Sequence, residues 1–424
     1  MNEGEPPAGR ASEVLIAGAG LAGLVAALGF VRAGFDVVAC GASERTGRGR
    51  TVALLDRSVS FLDSLGLWAP LRTNAAPLRS LRLIDDTGGL FPPRPIEFHA
   101  AEIGLDAFGW NIENDRMADA LAGEVGRASR LERVVSSIAA YDFGPDAVRA
   151  RLEDGRTIWA KLAIGADGRD SKARRAASLD ARVHAYGQSA LTALLAHRLP
   201  HRDFSTEFHT RSGPFTLVPL PASATTPHRS SLVWVMSHED ARRRAALDNE
   251  ALAGEIERQA GLLLGAMRIE GERGMFPMTR QIVPRIVANR LALVGDAAHV
   301  FPPIGAQGLN LGLRDVEAIV ACAVEARRAG RDIGGTEVLD AYENSRRPDI
   351  ALRTGIIDGL NRALLARFAP VDLARGAALA AISAIGPLRR FVMREGIEPH
   401  ILRRRAKSST PGSPPAAATE SLPR

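Results

Sequence analysis

Three glycines near the start of the chain, Gly18, Gly20 and Gly23, have the spacing GxGxxG. They follow a short apolar run at 13–17, EVLIA, and open an Ala/Leu/Val-rich stretch that predicts a helix. In such a turn the first glycine permits the tight bend, the second lets a pyrophosphate contact the backbone, and the third lets the helix pack close to the strand. The helix N-terminus then binds the phosphates. The pattern predicts an ADP-containing cofactor, and a tight structural turn is the alternative.

The second strand of this βαβ unit lacks the acidic residue that usually binds the adenosine ribose at its end. The strand is predicted over FDVVAC, and the acid would fall at Gly41. Glu44 lies three residues later and is the candidate substitute. Taken alone, the missing acid weakens the prediction of a dinucleotide.

Two further motifs follow predicted strands. Asp167-Gly168 lies in IGADGRDSKAR, and Gly295-Asp296 lies in ALVGDAAHVFPPIGAQGLNLGLRD. The Asp296 carboxylate can accept hydrogen bonds from sugar-like hydroxyls, although a helix cap would also explain it. The segment PPIGAQGLN supplies small residues and backbone N–H groups beside a helix N-terminus, which suits a flat ring with electron-rich carbonyls. These two motifs restore the case for a dinucleotide cofactor.

In this order and spacing, the three motifs resemble those of the flavoprotein aromatic hydroxylases related to p-hydroxybenzoate hydroxylase. The resemblance implies that GxGxxG binds the ADP part of FAD, and that the Gly-Asp motif binds the ribitol and begins the helix facing the isoalloxazine. It places the Asp-Gly motif near both FAD and the nicotinamide nucleotide. The predicted cofactor-binding residues are Gly18, Gly20, Leu21, Ala22, Gly23, Arg50, Arg116, Asp167, Gly168, Gly295, Asp296, Gln307, Gly308, Leu309 and Asn310.

Longer stretches narrow the resemblance to the ubiquinone-biosynthesis hydroxylases, the octaprenylphenol and methoxyphenol hydroxylase group. It covers roughly residues 12–350, and its most specific parts are HRLPH and GDAAHVFPPIGAQGLNLGLRD. By this resemblance Arg50 and Arg116 contact the flavin or its phosphates. The chain departs from the family at Gly41, which lacks the acid, and at Ala306, where many relatives have glycine.

The resemblance implies an FAD-dependent monooxygenase that hydroxylates the ring of a polyprenylphenol in ubiquinone biosynthesis. NAD(P)H would reduce FAD, and the reduced flavin would react with O₂ to give a C4a-hydroperoxide that attacks the electron-rich ring. Because a wet site lets the peroxide decay to H₂O₂, the ring should lie in a mostly apolar cavity. No catalytic side chain is predicted, and the cavity candidates are Phe215, Val218 and Pro303.

Two alternatives stay open at the level of sequence. One is a related FAD hydroxylase that acts on a small soluble aromatic. The other is a non-catalytic accessory protein, with or without flavin, in a biosynthetic complex. The missing acid at Gly41 favours the accessory protein.

Composition and charge exclude other classes. The chain has 424 residues, of which 46% are hydrophobic, so it can bury large cores. The net charge of +6 comes from 54 basic and 48 acidic residues spread along the chain, which indicates a solvated surface and no nucleic-acid site.

The sequence offers few metal ligands. Cys40 and Cys322 are the only cysteines. His197 and His201 have the spacing of a helical ligand pair, but Pro200 argues against a helix that carries both. No metal site is therefore predicted.

The sequence also bears on localisation. No run reaches the roughly 20 apolar residues of a membrane-spanning helix, and no secretory signal is recognised. We expect a cytoplasmic protein. The Arg-containing helical region 355–405 predicts in addition a peripheral contact with the inner face of the membrane, where a prenylated substrate would reside. A core-packing helix with a solvated end is the alternative.

The elements that must position these residues predict an α/β fold. A Rossmann-like, p-hydroxybenzoate hydroxylase-like FAD-binding domain is expected to be interleaved with a β-rich substrate domain and followed by a helical C-terminus. The predicted segments are 13–75, 111–180 and 281–350 for the FAD-binding domain, 76–110 and 181–280 for the substrate domain, 351–407 for the C-terminal helices, and 1–12 and 408–424 as disordered ends.

Two local elements are also predicted. Asp154-Gly155 predicts a hairpin, and ARRRAALDNEALAGEIERQAG predicts one charged surface helix.

Overall fold

Strands dominate the chain up to Val300, and helices dominate the rest. The computed structural model describes residues 10–41, 49–88, 94–303, 306–365 and 386–397. The strands are β1 (Arg10–Ala17), β2 (Val37–Cys40), β3 (Thr51–Leu55), β4 (Ala75–Pro77), β5 (Ser80–Asp86), β6 (Ile96–His99), β7 (Gly109–Glu113), β8 (Leu131–Val134), β9 (Ile138–Phe143), β10 (Val148–Leu152), β11 (Thr157–Gly165), β12 (Arg182–His197), β13 (Phe204–Thr210), β14 (Gly213–Leu220), β15 (Arg229–Ser237), β16 (Met267–Ile282), β17 (Val287–Ala288), β18 (Leu291–Leu293) and β19 (His299–Val300). The α-helices are α1 (Leu21–Arg32), α2 (Asp56–Ser64), α3 (Trp68–Arg72), α4 (Asn114–Arg127), α5 (Lys172–Ala176), α6 (His238–Ala245), α7 (Asn249–Gln259), α8 (Gln307–Arg328), α9 (Thr336–Leu365) and α10 (Gly386–Ile397).

The first sheet is built around β1, which lies between β2 and β11 and is parallel to both. Parallel pairing continues from β2 to β8 and from β11 to β18. Alternate residues of β1 enter two cores, because side chains of a strand alternate between its faces. Val14 and Ile16 pack with α1 and α8, whereas Leu15 and Ala17 pack against the β9–β10 side. Both faces of β1 are therefore buried.

The structure differs from the sequence prediction at the start of β1. The strand begins at Arg10, earlier than the predicted start at residue 13, and so includes part of the end that was expected to be disordered. Arg10, Ala11 and Ser12 align with Ile158, Trp159 and Ala160 of β11, which extends the ladder toward the N-terminus. The predicted hairpin at Asp154-Gly155 is confirmed, because β10 and β11 pair antiparallel on either side of it.

The second sheet has the strand order β19-β16-β12-β15-β14-β13-β5-β6. Its strands come from two parts of the chain, 80–99 and 182–300, and the chain returns to the first sheet between them. One face packs against α6 and α7 around Leu191, Phe215 and Trp234. The other face meets the third sheet, β3-β7-β4, where Asn111 Nδ2 donates to Pro219 O at 2.9 Å. This arrangement gives the interleaved α/β architecture that the sequence predicts.

The predicted single helix after β15 is wrong in detail. The chain forms two helices, α6 and α7, separated by a short break. Asp248 causes the break, because its Oδ1 accepts the backbone N–H of Ala251 at 2.7 Å and caps a new helix. Ser237 caps α6 in the same way through Asp240.

The last helices are fixed to the sheets by polar contacts. The Tyr342 hydroxyl, fully buried on α9, donates to Leu293 O at the end of β18 at 2.7 Å. On α10, Arg389 donates to Glu102, and Met393 packs in a small core with Phe98. No helix in the described ranges is long and apolar enough to cross a membrane.

His197 and His201 use both ring nitrogens in local hydrogen bonds. His197 Nδ1 donates to Leu199 O at 2.7 Å, and its Nε2 accepts from the Ser230 hydroxyl at 3.0 Å. His201 Nε2 donates to Leu220 O at 3.2 Å, and its Nδ1 accepts the backbone N–H of Asp203 at 3.0 Å. Burial lowers the pKa of both imidazoles. These contacts make the pair structural.

This geometry predicts acid destabilisation below the ordinary histidine pKa of about 6.5. Because the folded pKa values are depressed, the contribution of these histidines to stability is complete above that pH and is lost as the pH falls through the folded pKa values. His201→Asn keeps an acceptor for the Asp203 N–H but does not titrate. We expect its unfolding free energy, measured by denaturant titration from about pH 8 to about pH 5.5, to depend less steeply on pH than that of the wild type. His184→Asn, at an exposed histidine, is the control, and an equal slope in wild type and His201→Asn would contradict the prediction.

Candidate functional site: three turns at one edge of the parallel sheet

The strand register brings the three predicted motifs side by side. Ala17 at the end of β1 aligns with Gly165 at the end of β11, and Gly165 aligns with Leu293 at the end of β18. Each motif begins within three residues of these ends, at Gly18, at Asp167 and at Gly295. Backbone bonds tie the exits together, from Ala166 N–H to Ala17 O and from Val294 N–H to Gly165 O. Ligands of open parallel sheets bind at such carboxyl ends.

The GxGxxG turn shows why each glycine is needed. Gly18 has φ +122°, and a Cβ there would lie 2.2 Å from Ala166 O. A Cβ on Gly23 would lie 2.1 Å from Gly18 O. Gly20 differs, since a Cβ built on it would meet no described atom within 4 Å. Gly18 and Gly23 are therefore required by the fold, whereas Gly20 borders open space that a ligand can fill.

The two helices that start at this edge have bare N-termini. In the described part of the chain, neither the Gly20 cap of α1 nor the Ala306 cap of α8 provides a side-chain hydrogen bond, and neither first turn contains an acid. Ala306 adopts the left-handed conformation with φ 54°, and a Cβ on Gly308 would likewise meet no described atom within 4 Å. First-turn N–H groups without caps form a site for an anion or for electron-rich oxygens. The predicted residues Leu21, Ala22 and Leu309 lie in these two turns.

Gly41 explains why the expected acid is missing. It has φ +155°, and a Cβ there would lie 2.7 Å from Ala19 N and 3.1 Å from Ala19 Cβ. The Gly18 N–H also donates to Cys40 O at 2.7 Å, so the end of β2 packs directly on the glycine turn. An acidic side chain at position 41 would require this packing to open. Glu44, the candidate substitute, lies outside the described residues.

The two predicted aspartates have different surroundings. Asp296 is exposed although Gly295 and Ala297 beside it are buried, so its carboxylate faces the open edge. Asp167 instead accepts the Ala173 backbone N–H at 3.0 Å and the Ser171 hydroxyl, and thereby holds the start of α5. Asp296 is therefore the better placed of the two to accept from a ligand hydroxyl. Gly168, with φ +79°, turns the chain and faces open space.

Asn310 and Gln307 fix the start of α8 in place. Asn310 Oδ1 accepts the Leu55 N–H at 2.9 Å, and Nδ2 donates to Ala53 O at 2.7 Å and to Ala306 O at 2.6 Å. The Asn310 side chain is thus engaged within the protein and holds α8 against β3. Gln307 Oε1 accepts from Arg353 Nη1 of α9.

Three further predicted residues lie on the exposed surface of the described structure. Arg50 precedes β3, and its guanidinium carbon lies 5.1 Å from the ring centroid of Phe276 on β16. Arg116 is in the first turn of α4, and the Asn114 N–H at that start donates to Arg50 O at 3.1 Å, so the two arginines belong to adjoining elements. Pro303 is exposed just before α8.

The two cavity candidates on β14 do not share a face. Phe215 is fully buried between Phe208 and Trp234, on the side of the sheet that carries α6 and α7. Val218 pairs with Ser231, whose hydroxyl lies 2.9 Å from that of Thr51 on β3. Because the positions are three apart on one strand, their side chains point to opposite faces. The prediction that both line one cavity is therefore wrong, and Val218 is the one on the side of the third sheet.

A cavity of about 460 Å³ lies on the face that carries α6 and α7. It is lined by Leu191, Ala245, Asn249 and the β16 segment 271–275. The cavity lies on the opposite face of the second sheet from Val218, and it is not lined by residues at the ends of β1, β11 and β18. The cavity is not part of the candidate site.

A buried charged cluster behind α8 was not predicted from the sequence. His299 Nε2 and Arg346 Nε contact the two oxygens of Asp315 at 2.6 and 2.7 Å. Arg346 and Arg353 donate to Asp349 at 3.0 and 2.9 Å, and Arg314 approaches it at 3.3 Å. All six residues are at most 5% exposed: His299, Arg314, Asp315, Arg346, Asp349 and Arg353. The 346, 349 and 353 spacing, which places charges on one helix face, was the available signal.

The charges in the cluster perturb one another. Burial would raise the pKa of Asp349, but the surrounding guanidinium groups of Arg346, Arg314 and Arg353 lower it to about 2. Burial, with the nearby charge of Arg353, lowers the pKa of Arg314 to about 10. Burial opposes ionisation of Asp315 as well, yet His299 and Arg346 lower its pKa. Asp315 Oδ2 also accepts the Gly295 N–H at 3.0 Å, so the cluster supports the Gly-Asp turn directly.

Together these features define a nucleotide-binding α/β protein whose edge fits FAD. The open space at Gly20 and the bare start of α1 fit a pyrophosphate, Asp296 fits a sugar-like hydroxyl, and the bare start of α8 fits a ring with carbonyl oxygens. Residues 11–352 match the family described as "FAD binding domain". The chain belongs to this family of FAD-binding proteins, and FAD is its cofactor.

Individual relatives agree with this family. The chain is 35% identical over 411 residues to "Ubiquinone hydroxylase UbiL" of Rhodospirillum rubrum, covering 93% of each chain. It is 29% identical over 392 residues to "3-demethoxyubiquinol 3-hydroxylase" of Escherichia coli, covering 90% of this chain and 97% of that protein. Among solved structures, p-nitrophenol 4-monooxygenase PnpA from Pseudomonas putida DLL-E4 superposes with a TM-score of 0.75 at 20% identity, covering 92% of this chain and 98% of that chain. The last likeness confirms the predicted fold class.

The glycine geometry predicts opposite outcomes for two substitutions. Gly20→Val should fold normally, since Gly20 has φ −73° and its Cβ would meet open space, but it should lose FAD because the side chain occupies the pyrophosphate position. Moving the pyrophosphate away from the backbone would break at least one charge-assisted hydrogen bond, which costs about 1.5–3 kcal/mol and weakens FAD binding by about tenfold to a hundredfold. Gly18→Val should fail to fold, because its Cβ would collide with Ala166 O. FAD titration and thermal unfolding of the apoproteins measure both effects, and wild-type FAD affinity in Gly20→Val would contradict this placement of the pyrophosphate.

Proposed function

We propose that this protein is an FAD-dependent monooxygenase that hydroxylates the aromatic ring of a polyprenylphenol in ubiquinone biosynthesis, with NAD(P)H and O₂ as co-substrates. The observation that carries the proposal is the register that aligns the three turns at the ends of β1, β11 and β18. The substrate class is supported by the names of two relatives, a ubiquinone hydroxylase and a demethoxyubiquinol hydroxylase.

The proposal assigns the cofactor to the described edge. The backbone around Gly20 and the first turn of α1 hold the pyrophosphate, Asp296 accepts from the ribitol, and the first turn of α8 at Gly308 faces the ring. Arg50 and Arg116 lie at the surface and supply positive charge. FAD, when bound there, takes electrons from NAD(P)H and supplies the oxygen chemistry.

The chain's own residues orient the phenol and exclude water. Val218 lies on the face of β14 toward the third sheet, and hydrogen bonds made by side chains hold the two sheets together at that point. Asn111 Nδ2 donates to Pro219 O and lies 3.2 Å from the Ser231 hydroxyl, while Thr51 contacts the same hydroxyl. These bonds make the wall around Val218 rigid. Val218 adds an apolar side chain to this rigid wall, and a wall that excludes water would protect the oxygen chemistry that FAD supplies when it is bound.

Val218→Asp tests the wall. The carboxylate should admit water without changing the strand ends, so FAD stays bound and NAD(P)H oxidation continues. The yield of hydroxylated product per NAD(P)H, measured with a prenylphenol and a short-chain analogue, should fall while H₂O₂ rises.

The control for Val218→Asp lies on the opposite face of the same strand. Phe215→Leu should lower thermal stability by leaving a cavity in the core under α6 and α7, and should leave the product yield unchanged. An unchanged yield in Val218→Asp would remove Val218 from the site. If the wild type binds FAD but hydroxylates neither phenol, the proposed activity is wrong and a non-catalytic flavoprotein remains. Turnover of the short analogue with none of the prenylphenol would favour a soluble aromatic substrate.

The proposal extends to a peripheral contact with the membrane, because a prenylated substrate resides there. The inner side of α10 is engaged, since Arg389 donates to Glu102, lowers the pKa of that carboxyl to about 2, and lies over the Phe98 ring. The outer side exposes Phe391 at 59% and Leu388 at 37%, beside exposed Arg390 and Arg394. An apolar pair flanked by arginines suits the surface of an anionic bilayer. The predicted basic residues beyond 397 lie outside the described residues.

Removing this outer face should weaken membrane binding. The double variant Phe391→Ser, Arg394→Gln should float less with anionic liposomes than wild type, because it loses buried apolar area and a cation worth about 1 kcal/mol at the surface. Its Arg389–Glu102 contact stays intact, so the fold should be preserved. Leu262→Ser, Arg268→Gln is the matched control, with an exposed leucine and an exposed arginine elsewhere. Equal flotation of all three proteins would count against a docking role for α10.

A further inference from the structure

Arg353 connects the buried cluster to the start of α8. It is 4% exposed, lies on α9, and donates through Nε to Asp349 Oδ1 at 2.9 Å. Its Nη1 donates to Gln307 Oε1, which belongs to the first residue of α8. Within the described ranges, its Nη2 is buried without a hydrogen-bond partner. One arginine therefore joins the ion cluster to the first turn that the proposed function places at the flavin ring.

The cluster contains more positive than negative charge. Within the described part of the chain, Arg314, Arg346 and Arg353 form ion pairs with two carboxylates, Asp315 and Asp349. The neighbouring Arg57–Glu317 ion pair does not change the balance. The Arg314 Nε is likewise buried without a partner in the described part of the chain. An excess buried charge opposes folding, so its presence calls for a compensating anion.

We expect the compensating anion at a point where the cluster approaches space that a ligand can enter. Gln307 is the first residue of α8, and a Cβ on the next residue, Gly308, would meet no described atom within 4 Å. The helix dipole contributes partial positive charge at the same point. A flavin that takes up two electrons and one proton gains one negative charge, and in a site of low dielectric that charge is stabilised by nearby cations.

We propose that Arg353 is a positioning residue that holds Gln307 at the flavin ring and favours the reduced, anionic state of FAD over the oxidised state. The inference rests on the proposed placement of the ring at the start of α8. It predicts that the charge of the cluster sets the reduction potential of the bound flavin.

Two variants that change the net charge of the cluster in opposite directions test this inference. Arg353→Gln removes the excess cation and keeps a polar group near Gln307. Asp349→Asn keeps the shape of the side chain and increases the excess positive charge. The midpoint potential of bound FAD is measured by equilibration with a reference dye, beside FAD affinity and thermal unfolding of each apoprotein. Arg331→Gln is the control, because Arg331 is a partly exposed arginine paired with Glu325 and Glu337.

We expect the equilibrium between oxidised and reduced FAD to favour the reduced form at least tenfold less in Arg353→Gln than in the wild type. For a two-electron couple, a tenfold change lowers the midpoint potential by about 30 mV. Asp349→Asn should move the potential in the positive direction, and Arg331→Gln should leave it unchanged. A purely structural role would lower the stability of both cluster variants without separating their potentials. Arg353→Lys retains the charge and should stay nearer the wild-type potential. If Arg353→Gln does not fold, Arg353→Met, which also removes the cation, replaces it in the comparison with Asp349→Asn.

The outcomes separate this inference from the proposed function. Potentials equal to wild type, or shifted in the same direction in both cluster variants, would overturn the inference while the hydroxylase activity could stand. Opposite shifts in a protein that hydroxylates no phenol would support the inference and overturn the activity. A wild-type protein that binds no FAD would overturn both.

Discussion

The alignment of β1, β11 and β18 is the constraint on which the candidate site depends. Three turns separated by more than a hundred residues each converge because parallel strands end at the same edge, and because Ala17, Gly165 and Leu293 fall at the same level of the ladder. A shift of one residue would exchange the two faces of β1, both of which are buried, so the register is strongly specified. The packing of Gly18 against Ala166, and of Gly41 against Ala19, adds backbone contacts that allow little freedom.

Helix α9 stabilises this edge from behind. Tyr342 bonds to the last residue of β18, and the carboxylate of Asp315 joins the Gly295 N–H to His299 and Arg346. Buried ion clusters are often less stable than apolar cores of the same volume. A cluster of this size, beside a turn that the proposed function places at the cofactor, is therefore better explained by positioning and charge than by folding stability alone.

The second sheet separates two tasks by its two faces. The face under α6 and α7 forms an ordinary apolar core around Phe215 and Trp234, which keeps the sheet rigid. The other face meets β3 and β7 through hydroxyl and amide contacts and positions Val218 on the side of the third sheet. Since β3 is also clamped to α8 by Asn310, the wall and the start of α8 belong to one connected set of contacts.

Sequence alone determined the glycine turns and the main helices, because short motifs and apolar periodicity are local properties. Its resemblance to known hydroxylases determined the family and, with it, the interleaved α/β fold. The sequence could not determine which side of β14 faces the site, since alternation defines two faces but not what covers each. Phe215 and Val218 were therefore grouped together although they point apart. Nor could it explain Gly41, whose need for glycine comes from Ala19, a residue distant in sequence. The ion cluster was missed for the same reason: His299, Asp315 and Arg346 come from three elements, and only tertiary packing removes them from water and makes their charges interact.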